Sequence, residues 1–283
     1  MNKIIFSSEF FNIKDTLECG QFFRFKPFDK GYLCFSLDKC AYCYTQGDNT
    51  VIECEDDNVE YFSNYFDLKR DYSLIYKCAL SQNIEILTQS ANSGKGIRIL
   101  NQNVTETLFS FIISQNNNIP RIKLIIERLC SALGEEKSFL GQTYYAFPSV
   151  KKMAEKDVDF YRGIGLGYRA EYIYNLAKSI ENGFNVNEYL NLETPALKKR
   201  LISIYGVGPK VADCVLFFGY RKTDSFPVDT WIEKVYIENF NGKQKHRDKI
   251  ANELVEKFGI NSGYFQQYLF HYKRNLENSA LKK

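Results

Sequence analysis

Two ionisable side chains stand at the openings of successive helical patterns: Lys210 and Asp229, 19 positions apart. Lys210 belongs to Gly206-Val-Gly-Pro-Lys-Val-Ala-Asp-Cys214, in which two glycines flank Val207 and Pro209 suits the first turn of a helix. A lysine in that first turn meets the positive end of the helix dipole. The ammonium is disfavoured there, and a neutral, nucleophilic amine is favoured. Asp229, in Pro227-Val-Asp-Thr-Trp231, reads as an N-cap whose oxygen accepts amide N–H groups, which should keep the carboxylate ionised. Plainer readings stand beside these: Lys210 as a point charge for a phosphate, and Asp229 as an ordinary cap.

The elements that would position this pair form a helix-hairpin-helix at about residues 197–219. The free N–H groups of the Gly206-Val207-Gly208 turn and of the following helix start can point at an anion, most naturally a phosphate of a nucleic-acid backbone. Such a contact would not depend on base sequence. A bare turn between helices is the alternative. Cys214 lies four residues after Lys210, so the two share a helix face.

The chain of 283 residues is 45% apolar, enough for a sizeable core, and its 23 Phe and 20 Tyr could also supply stacking faces. A net charge of +3 permits nucleic-acid binding without demanding it. The opening MNKIIFSSEF has too short an apolar run for a leader or a membrane span. The expectation is an intracellular protein, in the cytoplasm or nucleoid or in a nucleus, with its eight cysteines as free thiols. Cys40-Ala-Tyr-Cys43 is a lone CxxC with no second pair nearby; small buried residues of a strand explain it better than zinc. No metal, no cofactor, no membrane partner and a monomer are expected.

In chain order, the runs IIFSSEFF, FFRFKPF, YLCFSL, AYCYTQ and TVIECE predict an antiparallel sheet within residues 1–65. Helical patterning takes over from Tyr61, and the polar break Ala91–Gly96 marks a domain boundary. From Ile97 the pattern is helical to the end. The predicted fold is α+β: residues 1–96 form a twisted antiparallel sheet domain with flanking helices, and residues 97–283 form a mainly helical domain pair. Gly163-Ile-Gly-Leu-Gly167 precedes a helix, but it follows a helical stretch rather than a strand, so a dinucleotide loop is rejected.

Gly206–Cys214 followed by Pro227-Val-Asp229 resembles the helix-hairpin-helix-GPD superfamily of DNA glycosylases. The lysine, with a cysteine four residues later, looks most like 8-oxoguanine DNA glycosylase/AP lyase. Residues 101–122, 163–172, 201–233 and 263–271 carry the likeness; the N-terminal match, Leu17–Arg24, is looser and is placed within the sheet. The cysteine cluster of iron–sulfur relatives has no counterpart at the C-terminus.

The resemblance implies duplex DNA containing 8-oxoguanine as partner, with Lys210 and Asp229 catalytic. Gly206, Val207, Gly208 and Val211 would hold the DNA backbone. Gly20 would direct its carbonyl at the lesion, where 8-oxoguanine carries a hydrogen and guanine an acceptor; a glycine needed only for a β-bulge is the alternative. Gln266 would offer a donor and an acceptor to the base edge, with Phe270 and Cys214 against its two faces. Asn116 would fill the gap left by the extruded base, Tyr168 would wedge the stack, and Arg121 and Arg169 would read an opposite cytosine. Trp231 departs from the family's eukaryotic pattern, which has a histidine near a phosphate.

The expected reaction is base excision through a Lys210 Schiff base, then β-elimination. A monofunctional alkyl-base glycosylase, which would not need Lys210, and a non-catalytic helix-hairpin-helix DNA-binding module are the rivals.

Overall fold

The computed structural model describes residues 1–280. Near the N-terminus five strands, β1 (Asn2–Ser7), β2 (Phe25–Phe28), β3 (Gly31–Ser36), β4 (Lys39–Gln46) and β5 (Asn49–Cys54), form an antiparallel sheet in the order β1-β5-β4-β3-β2. Two-residue turns join β2 to β5 in succession. Each turn opens on a positive φ, at Asp29, Leu37 and Gly47, as the twist of a tight hairpin requires. Between β1 and β2 lies a helix, α1 (Ile13–Glu18), capped by the Asn12 side chain, which accepts from the Asp15 N–H at 3.0 Å. The stretch Leu17–Arg24 therefore lies at the end of α1 and in the turn after it, not in the sheet as expected, and Gly20 is not at a bulge.

One face of the sheet (Cys34, Ala41, Cys43, Ile52, Cys54) packs on Ile13 and Leu17 of α1 and on Phe62 and Tyr65 of α2 (Val59–Tyr65). The other face (Leu33, Phe35, Cys40, Tyr42, Tyr44) is closed by Phe139 and Tyr144. Cys40 and Cys43 thus point to opposite faces of the sheet, each buried, and all eight cysteines are unpaired. Phe139 and Tyr144 belong to a hairpin of β6 (Glu136–Phe139) and β7 (Gln142–Tyr145), turned at Leu140 and Gly141, both at positive φ. The expectation of helix from Ile97 to the end is corrected here.

The remaining elements are helices: α3 (Tyr72–Ser81), α4 (Glu85–Ser93), α5 (Val104–Ser114), α6 (Ile119–Leu133), α7 (Val150–Ala154), α8 (Val158–Gly163), α9 (Arg169–Glu181), α10 (Thr194–Ile202), α11 (Pro209–Phe218), α12 (Thr230–Phe240), α13 (Arg247–Phe258) and α14 (Ser262–Ala280). They share one large core. Tyr72, Ile75, Ala79, Leu87 and Ala91 belong to it, so α3 and α4 pack with the helical part, N-terminal to the boundary expected at residue 96. The layers are tied by a buried ion pair, Arg24 to Glu106 at 3.0 Å. Arg24 also donates to the carbonyls of Leu37 and Tyr145, and Glu106 accepts from the Leu37 N–H, so neither charge is left unpaired in the interior. No helix among the described residues is long and apolar enough to cross a membrane.

Candidate active site

The hairpin is built from α10 and α11, which bury Leu197 and Leu201 against Val211 and Val215. An ion pair of 2.7 Å between Lys198 and the buried Asp213 pins the two helices together. Burial pushes the Asp213 carboxyl up to about 6. Gly206 has φ +87°, and a Cβ there would lie 2.3 Å from Cγ of Tyr172. The two glycines differ in this respect. Gly208 has an extended backbone (φ −91°, ψ 174°) and nothing within 4 Å of a built Cβ, so the fold itself leaves room for a side chain there. Among the described residues no acceptor meets the N–H groups of Gly206, Gly208, Lys210 or Val211. The Val207 N–H, expected to be free, instead donates to Ile204 O at 3.0 Å. The turn therefore presents open amides at a helix start, the arrangement that suits an anion.

Lys210 sits in the first turn of α11, and Asp229 caps α12. The Asp229 Oδ1 accepts from the N–H groups of Trp231 and Ile232, both at 3.0 Å. One half-open cavity is lined by both residues and by Gly20, Cys214, Gln266 and Phe270, together with Phe111, Phe218, Pro227 and Gln267. Its free volume, solvent mouth included, is ≈ 340 Å³. The expected catalytic pair and all four expected base-pocket residues thus meet at one place, although they come from α11, α12, α14 and the turn after α1. The Lys210 Nζ lies 5.5 Å from the Phe111 ring centroid, and Lys210 and Cys214 line the same cavity wall.

Burial opposes the cap at Asp229. The cap amides, Lys210 and Arg247 do pull the Asp229 carboxyl down, but desolvation outweighs them and lifts it above the ordinary carboxylate value. The same burial pushes the Cys214 thiol up to about 11 against the pull of Lys210, so Cys214 is a neutral wall and not a second nucleophile. Gln266 is buried. Its Nε2 donates to Pro227 O at 3.1 Å, while Oε1 has no partner among the described residues. The side chain therefore holds out an unpartnered acceptor, and Nε2 keeps a second hydrogen beyond its bond to Pro227 O. Gly20 adopts φ +90°, and a Cβ there would lie 3.1 Å from Phe270 Cε1.

A second group gathers around the loop between α5 and α6. Asn116 is exposed at φ +44°, between α5 and α6. Arg121 is exposed, and its guanidinium makes no hydrogen bond or ion pair among the described residues. Tyr168, 51% exposed, opens α9. Arg169 departs from expectation. It is buried, and its guanidinium donates to the backbone carbonyls of Gln115, Asn116 and Leu166. In this conformation it fastens the Asn116 loop and presents no donor at the surface. Gln115, not singled out in the sequence, completes the fastening, because its Nε2 donates to Gly206 O at 2.8 Å. Trp231 is half-buried, with Lys234 Nζ 5.1 Å from its ring centroid.

Residues 109–259, more than half of the chain, match the family profile described as "HhH-GPD superfamily base excision DNA repair protein". Residues 3–108 match "8-oxoguanine DNA glycosylase, N-terminal domain". The chain belongs to the 8-oxoguanine DNA glycosylase family of the HhH-GPD superfamily. A "Probable N-glycosylase/DNA lyase" of Methanothermobacter thermautotrophicus is 29% identical over 238 residues, covering 77% of this chain and 74% of that protein. An "N-glycosylase/DNA lyase" of Saccharomyces cerevisiae is 36% identical, covering 63% of this chain and 57% of that protein. Among solved structures, the Clostridium acetobutylicum 8-oxoguanine glycosylase/lyase in complex with duplex DNA containing cytosine opposite 8-oxoG superposes with a TM-score of 0.90 at 37% identity, covering 95% of this chain and 93% of that one. That alignment spans both the sheet domain and the helical domain, so the likeness includes the cleft between α11, α12 and α14.

Proposed function

We propose that this protein excises 8-oxoguanine from duplex DNA and then nicks the strand as an AP lyase. The observation that carries the reading is the single cavity that gathers an amine, a carboxylate, a free backbone acceptor, an amide and an aromatic ring from distant segments. The family and the solved relatives point the same way.

In this mechanism the open amides at Gly206, Gly208 and Val211 hold phosphates near the lesion, and the damaged nucleotide is rotated into the cavity. Asn116 and Tyr168 occupy the space it leaves, and Arg121 faces the opposite base. A cytosine offers acceptors to that guanidinium. The base lies between Phe270 and Cys214, with its edge at Gln266 Oε1. The Gly20 carbonyl accepts from the ring N7–H that 8-oxoguanine has and guanine lacks. With guanine two acceptors face each other, and an unmade buried hydrogen bond of this kind costs roughly 1–3 kcal/mol.

The Lys210 amine, once its ammonium has given up a proton, attacks C1′ of the sugar. The C1′–N9 bond breaks, and its electron pair leaves with the base, which takes a proton. Asp229, as carboxylate, stabilises the positive charge that develops on the sugar. The amine loses its protons as the sugar ring opens, giving an imine between Nζ and C1′. Removal of a proton from C2′ then expels the 3′ phosphate by β-elimination, and water hydrolyses the imine. The test is incubation with an 8-oxoguanine duplex and borohydride. Free 8-oxoguanine, a nick 3′ to the lesion and a reduced protein–DNA adduct are expected; release of an alkylated base without an adduct would favour a monofunctional enzyme.

A further inference from the structure

The turn after α1 is gripped from outside in a pattern with one gap. The Glu18 carbonyl accepts from Arg274 Nη2 at 2.5 Å, and the Cys19 carbonyl accepts from Gln267 Nε2 at 2.9 Å. Beyond the turn, the Gln21 carbonyl accepts from Gln102 Nε2 at 2.8 Å. Between them, the Gly20 carbonyl accepts nothing among the described residues. The Gln21 side chain fixes the far side of the turn, donating to Thr16 O and Arg98 O and accepting from the Leu100 N–H.

Both grips come from the helix that supplies the base pocket. Gln267, Phe270 and Arg274 are spaced three and four apart, so they lie along one face of α14, and Gln266, Gln267 and Phe270 line the cavity. Arg274 also lies with its guanidinium carbon 5.3 Å from the Phe270 ring centroid, and its Nη1 would be 3.2 Å from a Cβ on Gly20. Ring, amide and carbonyl are therefore set against one another by a single stiff element.

We propose that Gln267 and Arg274 are specificity-positioning residues. By holding the carbonyls of Glu18 and Cys19, they prevent the Gly20 carbonyl from rotating away from the base. The inference rests on the 8-oxoguanine reading above and gives it a physical basis. A carbonyl that can turn accommodates guanine by swinging aside, and only a fixed one keeps acceptor facing acceptor. Neither residue needs to touch the base to act.

The test measures equilibrium binding of the full chain to three duplexes. One carries 2′-fluoro-8-oxodeoxyguanosine, which resists excision; one carries normal guanine; one carries a tetrahydrofuran abasic site, which has no base to read. Gln267→Met with Arg274→Met is expected to reduce the 8-oxoguanine-to-guanine affinity ratio about tenfold, the equivalent of roughly one hydrogen bond. Arg274→Met alone, outside the cavity lining, should keep its affinity for the tetrahydrofuran duplex within about twofold of wild type. Arg274→Lys, which keeps a donor, should recover part of the ratio. An unchanged ratio in the double variant overturns the proposal, and so does an equal loss on all three duplexes, which would make the two residues merely structural. A wild-type protein that does not prefer 8-oxoguanine overturns the base-excision reading itself, and this proposal with it.

Discussion

Replacing Asp229 with asparagine separates the chemical role of this residue from its structural one. In the structure Oδ1 alone accepts from both cap amides, each at 3.0 Å. An asparagine can keep that oxygen in place, and Asn and Asp are comparable caps. The fold raises the Asp229 carboxyl by burial. A raised acid contributes stability below its unfolded value and loses it as pH rises through the folded one, so the charged form is the costlier one to bury. Asp229→Asn should therefore leave stability unchanged or raise it slightly. The chemistry should suffer instead. Loss of a preorganised charge facing a developing cation costs about 2.7–4 kcal/mol, or roughly 10²–10³ in rate. Single-turnover release of 8-oxoguanine, urea unfolding at pH 7 and binding to an uncleavable duplex would be measured together. A rate within tenfold of wild type, or a loss of more than about 2 kcal/mol of stability with collapse of binding, would refute the reasoning and leave Asp229 as a cap alone.

Further outcomes follow from the glycines and from a buried histidine. Gly208→Ala should stabilise the free protein by about 0.4–1 kcal/mol, because its backbone and surroundings accept a methyl, yet weaken binding to any duplex if the proposed phosphate contact at this turn holds. Gly206→Ala should destabilise, by its φ of +87° and the Tyr172 ring; thermal unfolding of the two variants checks the opposite signs. Gly20→Ala should lower excision of 8-oxoguanine by at least tenfold at φ +90° beside Phe270, while tetrahydrofuran-site binding persists; an unaffected rate would remove Gly20 from the pocket. His271 is buried, with Asp15 3.9 Å away and Arg274 also near, and desolvation lowers it to about 4. A depressed base contributes stability that is complete above its unfolded value near 6.5 and is lost as pH falls toward 4. From pH 7 to pH 5 wild type should lose roughly 2 kcal/mol at this site, and His271→Gln should lose less. Asp213, raised to about 6, acts in the opposite sense, so the comparison is made between variants at matched pH in urea.

What the sequence disclosed was set by the length over which a signal accumulates. The five sheet strands show as aromatic and β-branched runs divided by turn residues, and each was found in the structure. The hairpin of β6 and β7 went unread because its strands are four residues each and its turn, Leu140-Gly141, has a leucine at one of its positive-φ positions. The six-residue α1 was hidden between aromatic runs, and its main local mark is the Asn12 cap. Spacing puts Lys210 and Cys214 on one helix face, the family resemblance points to Gln266 and Phe270, and the four share one cavity. Arg169 was not legible, because its destination is fixed by carbonyls 53 and 54 residues away, and nothing around it in the chain marks them. The upward shift of Asp229 was equally hidden. A cap motif predicts its hydrogen bonds, whereas burial depends on how α12 packs with the rest of the fold. Gln267 passed unnoticed beside Gln266, although the pair faces two different partners, Cys19 O and Pro227 O.

Borohydride trapping on an 8-oxoguanine duplex, with wild type and with Lys210→Gln side by side, tests the central claim most directly. A covalent adduct with wild type and none with the variant is the predicted result. An adduct that persists in Lys210→Gln would assign the attacking amine elsewhere and contradict the account.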